Sequence, residues 1–184
     1  MALQIERHQF TIDDLHHMIE AGILPEDGRV ELIEGDIVEM SPIGDPHAET
    51  VDELNEMLVV EGRSNARVRV QNPLRIDDRT MVQPDLMLVR RQSYRNQTPG
   101  PEDVLLIIEV SDTSLRHDRE VKIPLYARAG ISEVWLVDLH AEVVTRYTDV
   151  RDGEYWRIDR LRRGDRLTAI MVPSVDIAVE TLFA

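Results

Sequence analysis

The spacing of apolar and polar residues divides the chain into short helices and strands. Thr11 reads as an N-cap with Asp14 three residues on, and Leu15, Met18 and Ile19 follow at helical spacing as far as a stop at Gly22. From Arg29 to Met40 the pattern alternates about Glu34-Gly35, a hairpin signal with Val30, Leu32 and Ile37 available for a buried face. A loop over Ser41 to Pro46 leads to Val51, Leu54, Met57 and Leu58, which predict an amphipathic helix running to Glu61 and ending at Gly62. Ala66 to Ile76 and Met81 to Val89, joined through Asp77-Asp78, predict a second hairpin.

Beyond the Pro/Gly loop at Thr98 to Pro101, Val104 to Val110 is a continuous apolar run, the pattern of a strand buried on both faces and therefore central in its sheet. A helical stretch from Arg119 to Ala129 is closed by Gly130; Pro124 within it predicts a late start or a kink, because proline donates no backbone hydrogen bond. Glu133 to Val137 is the next strand, and the order strand, crossover helix, strand predicts parallel pairing with a right-handed connection. Val143 to Tyr147, Tyr155 to Ile158 and Leu167 to Val172 close the chain as strands, with turns at Asp152-Gly153 and Arg163-Gly164. There is no internal repeat, low-complexity tract or linker, so the expectation is one α/β (α+β) domain over residues 1–184, built on a mixed sheet.

A chain of 184 residues that is 42% hydrophobic and 30% charged has the composition of a soluble globular protein with one packed core. Its longest apolar runs, Val104 to Ile108 and Val134 to Val137, fall far short of the ~20 residues of a membrane helix. The N-terminus has no signal-peptide pattern, and a cytoplasmic location is expected. With no cysteine, disulfides, thiolate nucleophiles and cysteine zinc sites are excluded, and any metal must be held by oxygen or imidazole. The net charge of -14 weighs against a passive polyanion binder, since such affinity comes from basic groups that neutralise phosphates. A metal-binding carboxylate cluster beside a local arginine patch is compatible with it.

Asp85, just after Pro84, is expected in the second strand of the core, and Glu109 at the C-terminal end of the central strand. Carboxylates on adjacent strands can converge on one cation, and Mg²⁺ accepts one or two of them together with waters and a substrate phosphate. Such an ion lowers the pKa of a bound water and offsets charge on the phosphorane. Each acid is also readable as an ordinary strand-end carboxylate. Lys122 stands apart because it is the only lysine among 21 basic residues. An ammonium has a pKa that surroundings can shift, so it can orient and deprotonate an attacking water, which guanidinium cannot. The alternative is a solvated helix lysine in an arginine-biased sequence.

The stretches RVELIEGDIVEMSPIG, VQPDLMLV and LLIIEVSDTSLRHDREVKIPLYARAGISEVWLVD resemble the bacterial Uma-type endonuclease family (domain of unknown function 820), a branch of the PD-(D/E)XK restriction-endonuclease-like superfamily. The resemblance spans roughly residues 8 to 183. It implies an αβββαβ core, matching the element order read over about residues 44–138, with an N-terminal helix and hairpin and C-terminal strands added. It implies Asp85 and Glu109 as ligands of Mg²⁺, for which Mn²⁺ can substitute. The superfamily's lysine normally follows two residues after the glutamate, where this chain has Ser111; the resemblance implies that Lys122 on the next helix replaces it. It also maps a third acidic site residue onto Glu31, which on its strand lies opposite Val30 and Leu32 and belongs either to a cleft or to the polar side of the hairpin.

His47 and Glu49 open the core helix, whose N-terminus attracts anions, so phosphate or metal contact competes there with a capping or solvent-facing role. Arg90, Arg91 and Arg95 follow the Asp85 strand, and Arg116 and Arg119 flank the helix of Lys122; these are the candidate phosphate contacts, or else solvated residues offsetting nearby acids. His16, His17 and His140 have no partners at metal-ligand spacing, Asp77, Asp78, Asp112 and Asp138 read as turn or strand-end acids, and Trp135 and Trp156 as packing residues. The leading expectation is a metal-dependent endonuclease acting on nucleic acid, most simply DNA. Its rivals are an inactive nuclease-fold module that binds nucleic acid or a protein, and a small-molecule hydrolase using the same carboxylates. A homodimer is expected by analogy with the superfamily alone.

Overall fold

Thr11 caps the first helix, α1 (Ile12–Glu20), its hydroxyl accepting from the Asp14 amide while the Asp14 carboxylate accepts from the Thr11 amide. The structure, a computed structural model, describes residues 8–25 and 29–183. Strands β1 (Val30–Ile33) and β2 (Asp36–Glu39) pair antiparallel about Glu34 and Gly35. Those two residues have φ of 52° and 85°, the left-handed pair a two-residue hairpin turn requires. Val30 and Leu32 pack on Ile12 and Leu15 of α1, whereas Ile33 joins a different cluster on the opposite face. By strand alternation Glu31 faces the same way as Ile33, into the protein, and is only 2% exposed.

Helix α2 (Asp45–Gly62) opens on the polar turn that carries His47 and Glu49, as expected, with Pro46 in its first turn. The predicted second hairpin is only partly correct, since each arm is broken and its halves lie in different sheets. The arms are β3 (Ala66–Val70) with β4 (Leu74–Asp77), and β5 (Thr80–Val82) with β6 (Leu86–Arg90). β4 and β5 form the hairpin proper and complete a four-stranded sheet in the order β2-β1-β5-β4. β3 and β6 pair with each other in the main sheet. The breaks fall at Gln71, with φ of 48°, through Pro73 on one arm, and at Gln83 to Asp85, including Pro84, on the other. Proline cannot donate to a ladder, so each arm leaves one sheet where it meets a proline and enters the next.

The central strand β7 (Val104–Ser111) is buried throughout. It pairs antiparallel with β6 and parallel with β8 (Glu133–Asp138), as the crossover predicted. β9 (Val143–Arg151) and β10 (Glu154–Leu161) extend the main sheet to the order β10-β9-β8-β7-β6-β3. The expected final strand over Leu167 to Val172 is shorter: β11 (Arg166–Thr168) pairs with β12 (Asp176–Ala178) in a small ladder of its own.

The crossover helix begins at Leu115 rather than Arg119. It runs as α3 (Leu115–His117), a π-turn over Asp118–Lys122, and α4 (Ile123–Arg128). The Ile123 amide reaches the Asp118 carbonyl five residues back, and the widened turn relieves the clash that the ring of Pro124 would make in a regular helix. Leu106, Ile108 and Val110 of β7 pack with Leu54 and Leu58 of α2 on one face of the main sheet. Ile107, Val134 and Leu136 pack with Ile123 and Tyr126 of α4 and with Ile33 and Leu74 of the small sheet on the other. Alternation puts Glu109 on that second face, beneath α4 and the small sheet. Among the described residues, no helix is long and apolar enough to cross a membrane.

Candidate active site

The place where the broken arms change sheets is also where charged side chains meet. Asp85 lies just ahead of β6 rather than inside it, and it clasps Glu109 through the backbone. The Asp85 amide donates to Glu109 Oε2 at 3.3 Å, while the Val110 amide donates to Asp85 Oδ2 at 2.9 Å. Lys122 Nζ stands 3.0 Å from Glu31 Oε1 and 3.4 Å from Glu109 Oε1. Glu31 Oε1 also accepts from the Gln83 amide at 2.7 Å, which ties β1 to the sheet switch. His47 Nε2, from the first turn of α2, is 3.0 Å from Asp85 Oδ1. These groups open onto a cavity of about 530 Å³ between the β2–α2 connection and the crossover helix.

Burial is nearly complete: Glu109 is 1% exposed and Lys122 4%. Burial and the charges of Asp85 and Asp118 outweigh Lys122 and push the Glu109 carboxyl up to about 8. For Lys122, burial alone would lower the pKa, but Glu109, Glu31, Asp118 and Asp85 together hold it above its ordinary value. Burial would raise Asp85, yet the hydrogen bond and charge of His47, the Val110 amide and Lys122 keep it below the usual carboxylate range. Burial and the carboxylates of Glu109 and Glu31 raise the Tyr126 phenol well above its normal value, so its hydroxyl stays protonated and donates to Glu109 Oε1 at 2.5 Å. Lys122 is therefore a firmly charged ammonium. An ammonium with its pKa raised in this way acts as a hydrogen-bond donor, since a base needs a pKa near the working pH.

Two features test whether these residues fit a divalent cation. Glu31, Asp85, Glu109 and Asp118 are buried carboxylates, and the one buried lysine ammonium is that of Lys122; uncompensated buried negative charge favours either proton uptake or a cation. The cavity reaches both Asp85 and Glu109, leaving room for waters and a phosphate beside them. Among the described residues no three His, Asp or Glu side chains form a ready-made cage. Mg²⁺ does not require one, since it retains several waters and is held by one or two carboxylates. The donor set fits.

The sequence profile of the Uma2 family, described as "Putative restriction endonuclease", matches residues 12–180. The chain belongs to the Uma2 family. A crystal structure described as that of a "putative nuclease belonging to DUF820", from Anabaena variabilis ATCC 29413, is similar at 16% identity and a TM-score of 0.75, covering 95% of this chain and 97% of that one. It shares the fold, which is restriction-endonuclease-like. The type IIG restriction endonuclease BpuSI is 19% identical at a TM-score of 0.38, over 60% of this chain and 13% of that one, a likeness too low to carry an argument. No curated protein is a significant match. Membership of Uma2 supports a nuclease and, with it, a nucleic-acid ligand.

In this Uma2 chain Asp85, Glu109, Lys122, Glu31 and His47 all reach the one cavity, and Arg116 lines its mouth, paired with Glu120 at 2.9 Å. Arg90 and Arg91 do not join them, contrary to expectation. They leave the far end of β6, the length of the strand away from Asp85, and are tied down there: Arg90 Nε donates to the Glu102 carbonyl at 3.0 Å, and Arg91 donates to the carbonyls of Arg63 and Ala66. Sequence reasoning also missed Arg29, which lines the cavity, and Asp118, whose carboxylate accepts from the hydroxyls of Ser111 at 2.7 Å and Ser114 at 2.6 Å. Tyr126 was missed too. Lys122 and Tyr126 stand four residues apart on the predicted helix, so their shared face was readable from spacing, whereas Asp118 lies one residue before its predicted start.

Proposed function

We propose that this Uma2 chain is a metal-dependent nuclease that hydrolyses phosphodiester bonds in DNA. The observation that carries the proposal is the convergence of Asp85, Glu109 and Lys122, from a sheet switch, the central strand and a π-turn, on one cavity. Asp85 and Glu109 would hold Mg²⁺, with Mn²⁺ able to substitute; the ion, when bound, acidifies a water and offsets charge on the phosphate. Lys122, pinned between Glu31 and Glu109, orients the attacking water and donates to the oxygen on which negative charge develops. Glu31 and Tyr126 keep the ammonium and the Glu109 carboxyl in position. Arg29 and Arg116 at the mouth receive the flanking phosphates.

A second reading, an inactive nuclease-fold module, is favoured by one observation: Lys122 already has two carboxylate partners and almost no exposure, as a purely structural ion pair would. Titration calorimetry with Mg²⁺ and Mn²⁺, followed by incubation with supercoiled plasmid, single-stranded DNA and RNA, separates the two. The nuclease reading expects binding that Asp85→Asn abolishes. It also expects plasmid cleavage that is lost in Glu109→Gln and in a Lys122→Gln variant whose circular dichroism shows it folded. Cleavage that survives Asp85→Asn overturns the reading, and a folded wild type that binds neither metal favours the inactive module.

A further inference from the structure

β10 is the outer strand on one side of the six-stranded sheet and is 8 residues long. An open edge of that length presents a row of unpaired backbone N–H and C=O groups, a template for another strand. Alternation puts Glu154, Trp156, Ile158 and Arg160 on one side of it, and all are exposed, Trp156 at 63% and Ile158 at 56%. Large apolar side chains lined up on an open edge are what monomeric proteins avoid.

The row is complementary to itself. If a second copy of β10 runs antiparallel alongside it, centred on Arg157, then Trp156 faces Ile158 and Glu154 faces Arg160, each pair occurring twice by symmetry. Trp156 and Ile158 then form one shared apolar patch, bracketed at each end by opposite charges. Within one protomer Glu154 and Arg160 make no ion pair with any described residue, so both are available. Arg157 is the like-charge pair at the axis; each copy lies 3.0 Å from its own Asp159, a carboxylate it shares with Arg146, which reduces the repulsion there without cancelling it. Arg151, 5.1 Å from the Trp156 ring centroid, covers the indole only in part. We propose that the protein forms a two-fold dimer by antiparallel pairing of β10 with β10 of a second copy, in the register centred on Arg157. The opposite pairs on the exposed row, rather than general stickiness, fix that register.

Light scattering and sedimentation equilibrium of the full chain test this, with Glu154→Arg, Arg160→Glu and the double charge swap as variants. The wild type is expected to approach twice its 21.2 kDa as concentration rises. Either single swap sets like charges opposite each other and weakens association by about tenfold or more, and the double swap restores it. Trp135 is fully buried in the core, so a shift of tryptophan emission on dilution reports Trp156 leaving the interface, and it needs no variant. A wild type that stays at 21.2 kDa overturns the proposal. So does a dimer indifferent to the swaps, a double swap no better associated than the singles, or an edge that binds an added peptide strand without self-association.

Discussion

Replacing Lys122 by methionine keeps the length of the side chain and removes its charge from among Glu31, Glu109, Asp118 and Asp85. Lys122 Nζ contacts Glu31 at 3.0 Å and Glu109 at 3.4 Å, and it is the largest influence holding the Glu109 pKa down. Removing one partner of a buried ion pair typically costs about 3–5 kcal/mol, because the other charge stays buried without compensation. Glu109 escapes part of that cost by taking up a proton, which it does near pH 8 even in the wild type. Urea denaturation in EDTA at pH 7 should therefore give a loss at the low end of the range, about 3 kcal/mol. The loss should grow with pH. In the variant the Glu109 pKa lies above 8, so between pH 8 and 9 its folded state still holds a proton that the unfolded chain has released, and over that unit its stability falls by up to about 1 kcal/mol more than the wild type's. Adding Glu109→Gln should recover part of the loss. A penalty under about 1 kcal/mol that is flat from pH 7 to 9 refutes the view that Lys122 is the charge on which the buried acids depend.

The metal-free wild type should show the same linkage at lower pH: Glu109 is raised from its ordinary value to about 8, so folding binds a proton and stability declines as pH climbs from about 4.5 to about 8. Glu109→Gln should flatten that slope in denaturation curves, and a parallel slope in both proteins contradicts the assignment. Tyr126→Phe deprives the buried Glu109 carboxyl of a donor and should cost about 1–3 kcal/mol by thermal or urea unfolding, whereas no measurable change rules out a firm hydrogen bond. Arg29→Ala and Arg116→Ala should each weaken nucleic-acid binding and lower the salt slope by about 1, while Arg90→Ala and Arg91→Ala leave both unchanged. The reverse pattern in a salt titration moves the binding face to the other end of β6.

The sequence was most informative where local chemistry decides structure. Glu34-Gly35 specifies its own turn, the Thr11 and Asp14 spacing its own cap, and the apolar run of β7 its central place between two clusters. The second hairpin was misread because its arms look continuous: Pro73 and Pro84 announce a break, but not that the pieces on either side belong to different sheets. That same break sets Asp85 against Glu109, so the site depends on the feature that local pattern conveys least. The role of Pro124 was visible, but not its outcome, a π-turn over Asp118–Lys122 whose Asp118 and Lys122 side chains are buried. Glu31 was left between a cleft and the polar side of the hairpin because alternation set it opposite Val30 and Leu32 but could not say that the second face of the strand is covered as well. Arg90 and Arg91 misled because nearness in sequence to Asp85 is converted by a strand into distance.

The proposed nuclease requires Asp85 and Glu109 together to hold a catalytic divalent ion beside the Lys122 ammonium. Crystals soaked in Mn²⁺ and measured for anomalous scattering address it directly. The expected result is a peak bound by both carboxylates within the cavity and absent from crystals of Asp85→Asn. A saturating soak that leaves that position without a peak, or gives one that persists in the variant, contradicts it.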